Sequence, residues 1–136
     1  PAPMENMMVA SPYIEQVVVI GDKRNFISAL IVPTFEVVES YLTEHDKEIT
    51  SHEAIIEHSA VISLISQEVN KAMESFSKFE RVKKFTLLPR LLTLEQGELT
   101  PTLKVVRRIV LSNFKEYVER MYSDVNNKDE EEFIGG

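Results

Sequence analysis

The chain has 136 residues, 43% hydrophobic and 27% charged, the make-up of one globular domain. It carries no cysteine, which excludes disulfides, thiolate metal ligands and a cysteine nucleophile. Fifteen basic against twenty-two acidic side chains leave a net charge of −7, the wrong sign for a nucleic-acid binder that must neutralise phosphates.

No apolar run reaches the ~18 residues of a membrane span, and no signal-peptide pattern is visible in the residues given. Val17-Val18-Val19-Ile20 is a β-branched run closed by Gly21-Asp22 and reads as a buried strand. After the turn Gly21-Asp22-Lys23-Arg24-Asn25, the run from Phe26 to Val32 reads as a second strand stopped by Pro33. A hairpin is the simplest pairing, and the lack of alternation predicts cover on both faces. Phe35, Val38, Tyr41 and Leu42 then repeat at helical spacing behind a Thr34 N-cap, with an end expected near His45-Asp46. Thr50 and Glu53 form a capping box, followed by an amphipathic segment. In it Ile55, Ile62, Val69 and Phe76 fall at sevens, beside Ile65, Ala72 and Phe79, with a break expected at His58-Ser59. The stripe lasts only about three heptads, which favours core packing over a coiled coil. Val82 to Pro89 reads as a third strand and Arg90 to Pro101 as a loop. A last helix is expected from near Val105, with Val106, Ile109, Val110, Phe114, Tyr117, Val118 and Met121 on one face. The acidic stretch 125–136 is expected to be a solvated, disordered tail. The fold class expected is α+β: a small three-stranded sheet flanked by three to four helices.

The motifs of several chemistries are missing. No P-loop, dinucleotide fingerprint, His-Glu-x-x-His pattern or nucleophile elbow is found in the sequence. His45, His52 and His58 read as solvated surface residues, so no metal site is expected, and Met7, Met8 and Met121 read as core fillers. One segment does point to chemistry. Gly97-Glu98-Leu99-Thr100-Pro101-Thr102-Leu103-Lys104 runs into Val105-Val106-Arg107-Arg108, which sets three cations at the start of a helix. The positive end of a helix dipole disfavours cations and attracts anions, so Lys104, Arg107 and Arg108 make a candidate phosphate or carboxylate site. The alternative is a basic patch paired with Glu98, Glu116 or the tail. Gly97, Thr100, Pro101 and Thr102 would shape the loop.

Glu98 to Lys104 with Arg107-Arg108 resembles the C-terminal catalytic-lysine motif of AMP-forming long-chain fatty-acid–CoA ligases, members of the adenylate-forming superfamily. The resemblance extends over Ser11 to Arg24, Phe26 to Pro33 and Lys78 to Phe85, and Pro1 to Asn6 is similar to the end of the family's hinge-proximal motif. Much of the superfamily has glycine before the lysine, where this chain has Leu103, as the long-chain subgroup does. The subgroup's common basic residue two positions after the lysine is Val106 here. The resemblance implies that residues 1–124 are the mobile C-terminal domain of such a ligase, cut from a large N-terminal domain that binds most of the ATP and Mg²⁺. It implies Lys104 as the catalytic lysine of acyl-adenylate formation, with long-chain fatty acid, ATP and CoA as substrates and rotation of the domain before thioester formation. Arg107 and Arg108 would be weaker anion contacts. The parent would be cytoplasmic or peripheral at a membrane, and the fragment alone inactive. Acyl–carrier-protein ligases and other acid–CoA ligases share these features. The contrasting readings are a stand-alone interaction module, with the stripe Ile55, Ile62, Val69 and Phe76 exposed, and an ATP- or CoA-binding regulatory domain.

Overall fold

In the computed structural model, residues 2–21, 24–44 and 51–123 are described. Chain order is α1 (Ala2–Val9), β1 (Ile14–Ile20), β2 (Ile27–Pro33), α2 (Phe35–Glu44), α3 (His52–Glu57), α4 (Ser59–Met73), a 3₁₀ turn (Lys78–Glu80), β3 (Val82–Leu87), α5 (Arg107–Asn113) and α6 (Lys115–Ser123). The sheet has the order β1-β2-β3, with β1 and β2 antiparallel as the expected hairpin. β3 runs parallel to β2, with Ala29 opposite Phe85 and Ile31 opposite Leu87. A parallel neighbour needs a crossover, and the segment holding α2, α3 and α4 supplies it.

The apolar strands bury both faces. Val17, Val19, Ala29 and Ile31 join one core with Met4 and Met8 of α1, Val38 and Leu42 of α2, Ile55 of α3, and Val61, Ile65 and Val69 of α4. Val18, Ile20, Leu30 and Val32 join a second core with Leu88, Leu92, Val110, Phe114, Val118 and Met121. Period-two alternation is therefore present, but both of its phases are apolar because helices cover both sides.

The stripe at sevens packs in the first core, as core packing requires and an exposed docking face would not. Ile55 and Val69 are buried, and Ile62 and Phe76 pack against that core from partly buried positions. Phe79 departs from the stripe and is 94% exposed. The α-helix ends at Met73, and the Arg81 guanidinium donates to the carbonyls of Phe76 (2.8 Å) and Glu74 (3.4 Å), which breaks the helical phase before Phe79 is reached. The break at His58-Ser59 is also found: the His58 side chain accepts from the Ala60 N–H and caps α4.

Several sequence expectations need correction. There are six helices among the described residues, not three to four. The additional first helix, α1, sets Met4 and Met8 one turn apart and buries both. The last helix starts at Arg107 and is interrupted at Phe114, giving α5 and α6. Ser51 is the cap of α3, its hydroxyl accepting from the Ala54 N–H at 3.1 Å. Met7 is 43% exposed rather than a core filler. His52 is exposed, as expected of a surface residue, and its ring also stacks on Phe35, with centroids 3.7 Å apart, while Nδ1 lies 3.0 Å from the Pro89 carbonyl oxygen. His45, Thr50 and the tail 125–136 lie outside the described residues.

Candidate functional site

Lys104 stands at the end of a short, tightly bonded hairpin. The Leu103 N–H donates to the Thr100 carbonyl at 2.7 Å, closing a four-residue turn with Pro101 in its second position. The Thr100 N–H donates to the Lys104 carbonyl at 2.8 Å, and the Lys104 N–H donates to Thr100 Oγ1 at 3.0 Å. Thr102 Oγ1 lies 3.2 Å from Thr100 Oγ1. Below the turn, Leu99 and Val105 form an isolated antiparallel bridge, and the Val106 N–H donates to the Glu98 carbonyl at 2.8 Å. The backbone of Lys104 is thus fixed while its side chain is exposed. Among the described residues, its ammonium has no ion-pair or hydrogen-bond partner.

Among the described residues, two take left-handed backbone, Gly97 (φ 76) and Leu103 (φ 65). Gly97 needs no side-chain argument beyond that angle, because a Cβ there would meet only ordinary contact with Ile109, at 3.7 Å. Leu103 is different. It occupies the third loop position of a three-residue hairpin, where a left-handed residue is required and glycine is favoured. Leucine there costs about 1–2 kcal/mol.

The hairpin is tied to the domain body through Glu98, which is 0% exposed. Arg90 grips it in a fork, Nη1 to Oε1 at 2.8 Å and Nη2 to Oε2 at 2.7 Å. Asn113 Nδ2 donates to Oε2 at 2.8 Å and the Thr93 N–H to Oε1 at 3.0 Å. Burial pushes the Glu98 carboxyl pKa up. The bonds from Arg90, Asn113 and Thr93, with the Arg90 charge, outweigh burial and hold it below the usual carboxylate range. The Arg90 guanidinium also lies over the Phe114 ring, 4.7 Å from its centroid.

The three cations do not act as one group. Arg107 donates to the Val19 carbonyl and pairs with Glu5 Oε2 at 3.3 Å, while that same oxygen accepts from the Val19 N–H at 2.8 Å. It therefore ties α5 to β1 and α1. The basic patch does not pair with Glu98, whose partner is Arg90. Arg108 is exposed. The seven-residue α5 has Val106 at its N-cap and no side-chain cap bond. Sequence reasoning missed Arg90, Asn113 and Glu5. Glu98 lay inside the motif, but nothing local marked partners 8 and 15 residues away. Among the described residues, no three His, Cys, Asp or Glu side chains converge as metal ligands, and no helix is long and apolar enough to cross a membrane.

Residues 1–126 match the family model described as the AMP-binding enzyme C-terminal domain. A long-chain-fatty-acid–CoA ligase of Mycobacterium tuberculosis is 36% identical over 124 residues, covering 90% of this chain and 21% of the relative. A chloroplastic long-chain-fatty-acid–[acyl-carrier-protein] ligase of Arabidopsis thaliana is 30% identical, covering 90% of this chain and 15% of the relative. Human long-chain-fatty-acid–CoA ligase 1 is 29% identical, covering 92% of this chain and 18% of the relative. The chain thus spans about a fifth or less of these relatives. The A-PCP didomain of the carboxylic acid reductase from Segniliparus rugosus, solved with AMP, shares the fold at TM-score 0.72 and 22% identity, over 94% of this chain and 16% of that one. The sheet topology, the helical layers and the match over nearly every residue agree, and the chain belongs to the AMP-binding enzyme C-terminal domain family.

Proposed function

We propose that residues 1–124 are the mobile C-terminal domain of an AMP-forming long-chain fatty-acid–CoA ligase, and that Lys104 is its adenylation lysine. The observation that carries this reading is a free, exposed ammonium on a backbone locked by its own hairpin. Such a group suits delivery into a site completed by another domain. The long-chain ligases among the relatives support the substrate class.

In the first half-reaction the fatty-acid carboxylate attacks the α-phosphorus of ATP. The bond to the β-phosphate oxygen breaks, pyrophosphate leaves, and acyl-AMP forms. Two anions must approach, so the barrier is strongly electrostatic. The Lys104 ammonium reaches both the carboxylate and the α-phosphate, holds them in line and offsets the charge on the transferring group. A compact charge on a four-carbon stem serves better here than a planar guanidinium, which demands a fixed fork. In the second half-reaction the CoA thiol attacks the acyl carbonyl, its proton is lost, and AMP leaves to give the thioester. Lys104 is not needed there. The domain turns after adenylation, removing the hairpin and presenting another face, a gating motion of the familiar domain-closure kind. Mg²⁺, where the large domain binds it, would supply neutralisation of phosphate charge. The described residues offer it no ligand set, and no metal step is assigned to this chain. Arg107 serves the hairpin's footing rather than the anion, since its guanidinium is already engaged. Arg108 is left as a weaker contact to the large domain or to phosphate. The reaction runs in the cytoplasm, with the parent peripheral at a membrane where its acid is supplied.

The test uses the full-length protein with and without Lys104→Ala, given a long-chain fatty acid, ATP, Mg²⁺ and either CoA or acyl carrier protein. Pyrophosphate release should fall by about 10²–10³. Thioester formation from supplied acyl-adenylate should survive. Unchanged pyrophosphate release would remove Lys104 from the mechanism, and a protein that adenylates no acid would remove the ligase reading.

A further inference from the structure

We propose that Glu98 is a positioning residue for adenylation: its buried, four-fold hydrogen-bonded carboxylate fixes where the hairpin delivers Lys104. This rests on the reading of Lys104 above.

The geometry is more demanding than packing requires. Each Glu98 oxygen accepts twice, Oε1 from Arg90 Nη1 and the Thr93 N–H, Oε2 from Arg90 Nη2 and Asn113 Nδ2. The donors come from three places: just beyond β3, the loop that follows, and the end of α5. The main chain of Glu98 is held as well. Its N–H donates to the Thr93 carbonyl at 3.0 Å, and its carbonyl accepts from Val106 at 2.8 Å. The hairpin's entry and exit, residues 98 and 106, are therefore bonded to one another at a point that the clamp fixes in all directions. A buried ion pair is a weak source of net stability, because desolvation cancels much of the attraction, and apolar replacements of equal volume are often no worse. What the clamp supplies is direction. Lys104 stands six residues beyond Glu98, and a shift of about 1 Å at a catalytic group costs on the order of 10²-fold in rate.

The carboxylate is also the one side-chain form that fits. All four neighbours are donors, so the site needs four acceptor positions. Glutamine has nearly the same shape but turns one oxygen into an NH₂ group that faces Arg90 Nη2 and Asn113 Nδ2. Asn113 can turn its own Oδ1 toward that NH₂, but only aspartate at 113 also restores the negative charge that Arg90 loses. This reciprocal pair separates geometry from bulk.

The full-length protein is assayed as wild type, Glu98→Gln, the double variant E98Q/N113D and Lys104→Ala. Pyrophosphate release and thioester formation from supplied acyl-adenylate are followed separately, with thermal melting of each variant. Glu98→Gln should lower kcat of adenylation by about 10- to 10²-fold. KM for ATP and fatty acid should stay within about two-fold, the pattern of an interaction felt only in the transition state. The thioester step should be unchanged, and E98Q/N113D should recover most of the lost kcat. A parallel fall in both half-reactions with a lower melting temperature and no rescue overturns the proposal, because a merely structural residue behaves so. Unchanged adenylation in Glu98→Gln, with Lys104→Ala inactive, overturns it alone. Full adenylation in Lys104→Ala overturns the lysine reading and this one with it. If Glu98→Gln does not fold, Asn113→Ala, which removes one donor from the exposed side of the clamp, is read by the same assays. A selective drop in adenylation then supports the proposal, and a rate equal to wild type overturns it.

Discussion

The two faces of the sheet are held by different physics. On the face covered by α1, α2, α3 and α4, the buried side chains of the core are apolar: Met4, Met8, Leu42, Ile55, Ile65, Val69 and their neighbours. The face covered by α5 and α6 mixes burial with directional bonds. Tyr122 donates its hydroxyl proton to the Phe26 carbonyl at 2.8 Å and meets the Ser28 hydroxyl at 2.8 Å, with Arg24 over its ring. Glu98 gathers Arg90, Asn113 and Thr93 at the foot of the hairpin. An apolar interface tolerates small slips, since dispersion and burial have no preferred angle. A polar clamp does not. On the role proposed for Lys104, the face that carries its hairpin is the one that would need a fixed orientation, and the Glu98 and Tyr122 bonds lie there.

The comparison is broken most severely on the apolar face. Ile65 is fully buried in the first core, and Ile65→Ala should cost about 2–5 kcal/mol by lost burial and a residual cavity. Chemical denaturation of this chain measures it. At temperatures where the full-length variant stays folded, its two half-reactions should keep their wild-type ratio. A selective loss of adenylation would show that the faces are mechanically coupled.

Next in size is Arg90→Met. It leaves the Glu98 carboxylate buried with Asn113 and Thr93 alone, an uncompensated charge. Arg90 is itself 39% exposed, so the cost falls below that of a fully buried pair, at about 2–3 kcal/mol. Adenylation should fall more than thioester formation. Equal loss in both would place the effect on the fold as a whole.

Acid sharpens the same contrast. The folded Glu98 pKa is depressed, so the unfolded chain takes up its proton first as pH falls. Its stabilisation is complete above the ordinary carboxylate range and is lost as pH drops through the lower folded value. Melting temperature followed from neutral pH into that range should fall less steeply in Glu98→Gln than in wild type. Identical slopes would mean that the clamp contributes no pH-linked stability.

How much of this was legible in the sequence follows the same division. β-branched runs marked the strands, and their missing alternation announced cover on both faces. The stripe Ile55, Ile62, Val69 marked the crossover helices, and His58-Ser59 marked their joint. Apolar periodicity is written locally, so it can be read locally. The interruption at Phe114 was invisible for the same reason. Val110, Phe114, Val118 and Met121 keep one face across it, and neither glycine nor proline marks the place. α1 escaped because eight residues with Met4 and Met8 inward give little periodicity to detect. The lysine hairpin could be recognised as a motif, but its footing could not be derived. Arg90 and Asn113 meet Glu98 only through the tertiary fold, and Arg107 reads as a free cation until Glu5 and Val19 are brought to it.

The smallest effect tests the strain that the hairpin stores. Leu103 sits at φ 65 and is 70% exposed, so packing does little to compensate its backbone. Leu103→Gly removes a penalty of about 1–2 kcal/mol. It also frees the unfolded chain, which returns roughly 0.5–1 kcal/mol of that gain. The net is a stabilisation of about 0–1.5 kcal/mol, visible as a small rise in denaturation midpoint with unchanged slope. Leu103→Val works in the opposite direction, since a β-branched side chain is still less tolerant of left-handed backbone. Opposite signs for the two variants would locate the strain in the backbone of the turn. If both destabilise equally, the leucine side chain makes a contact that its exposure does not reveal, and the hairpin is supported at its tip as well as at its foot.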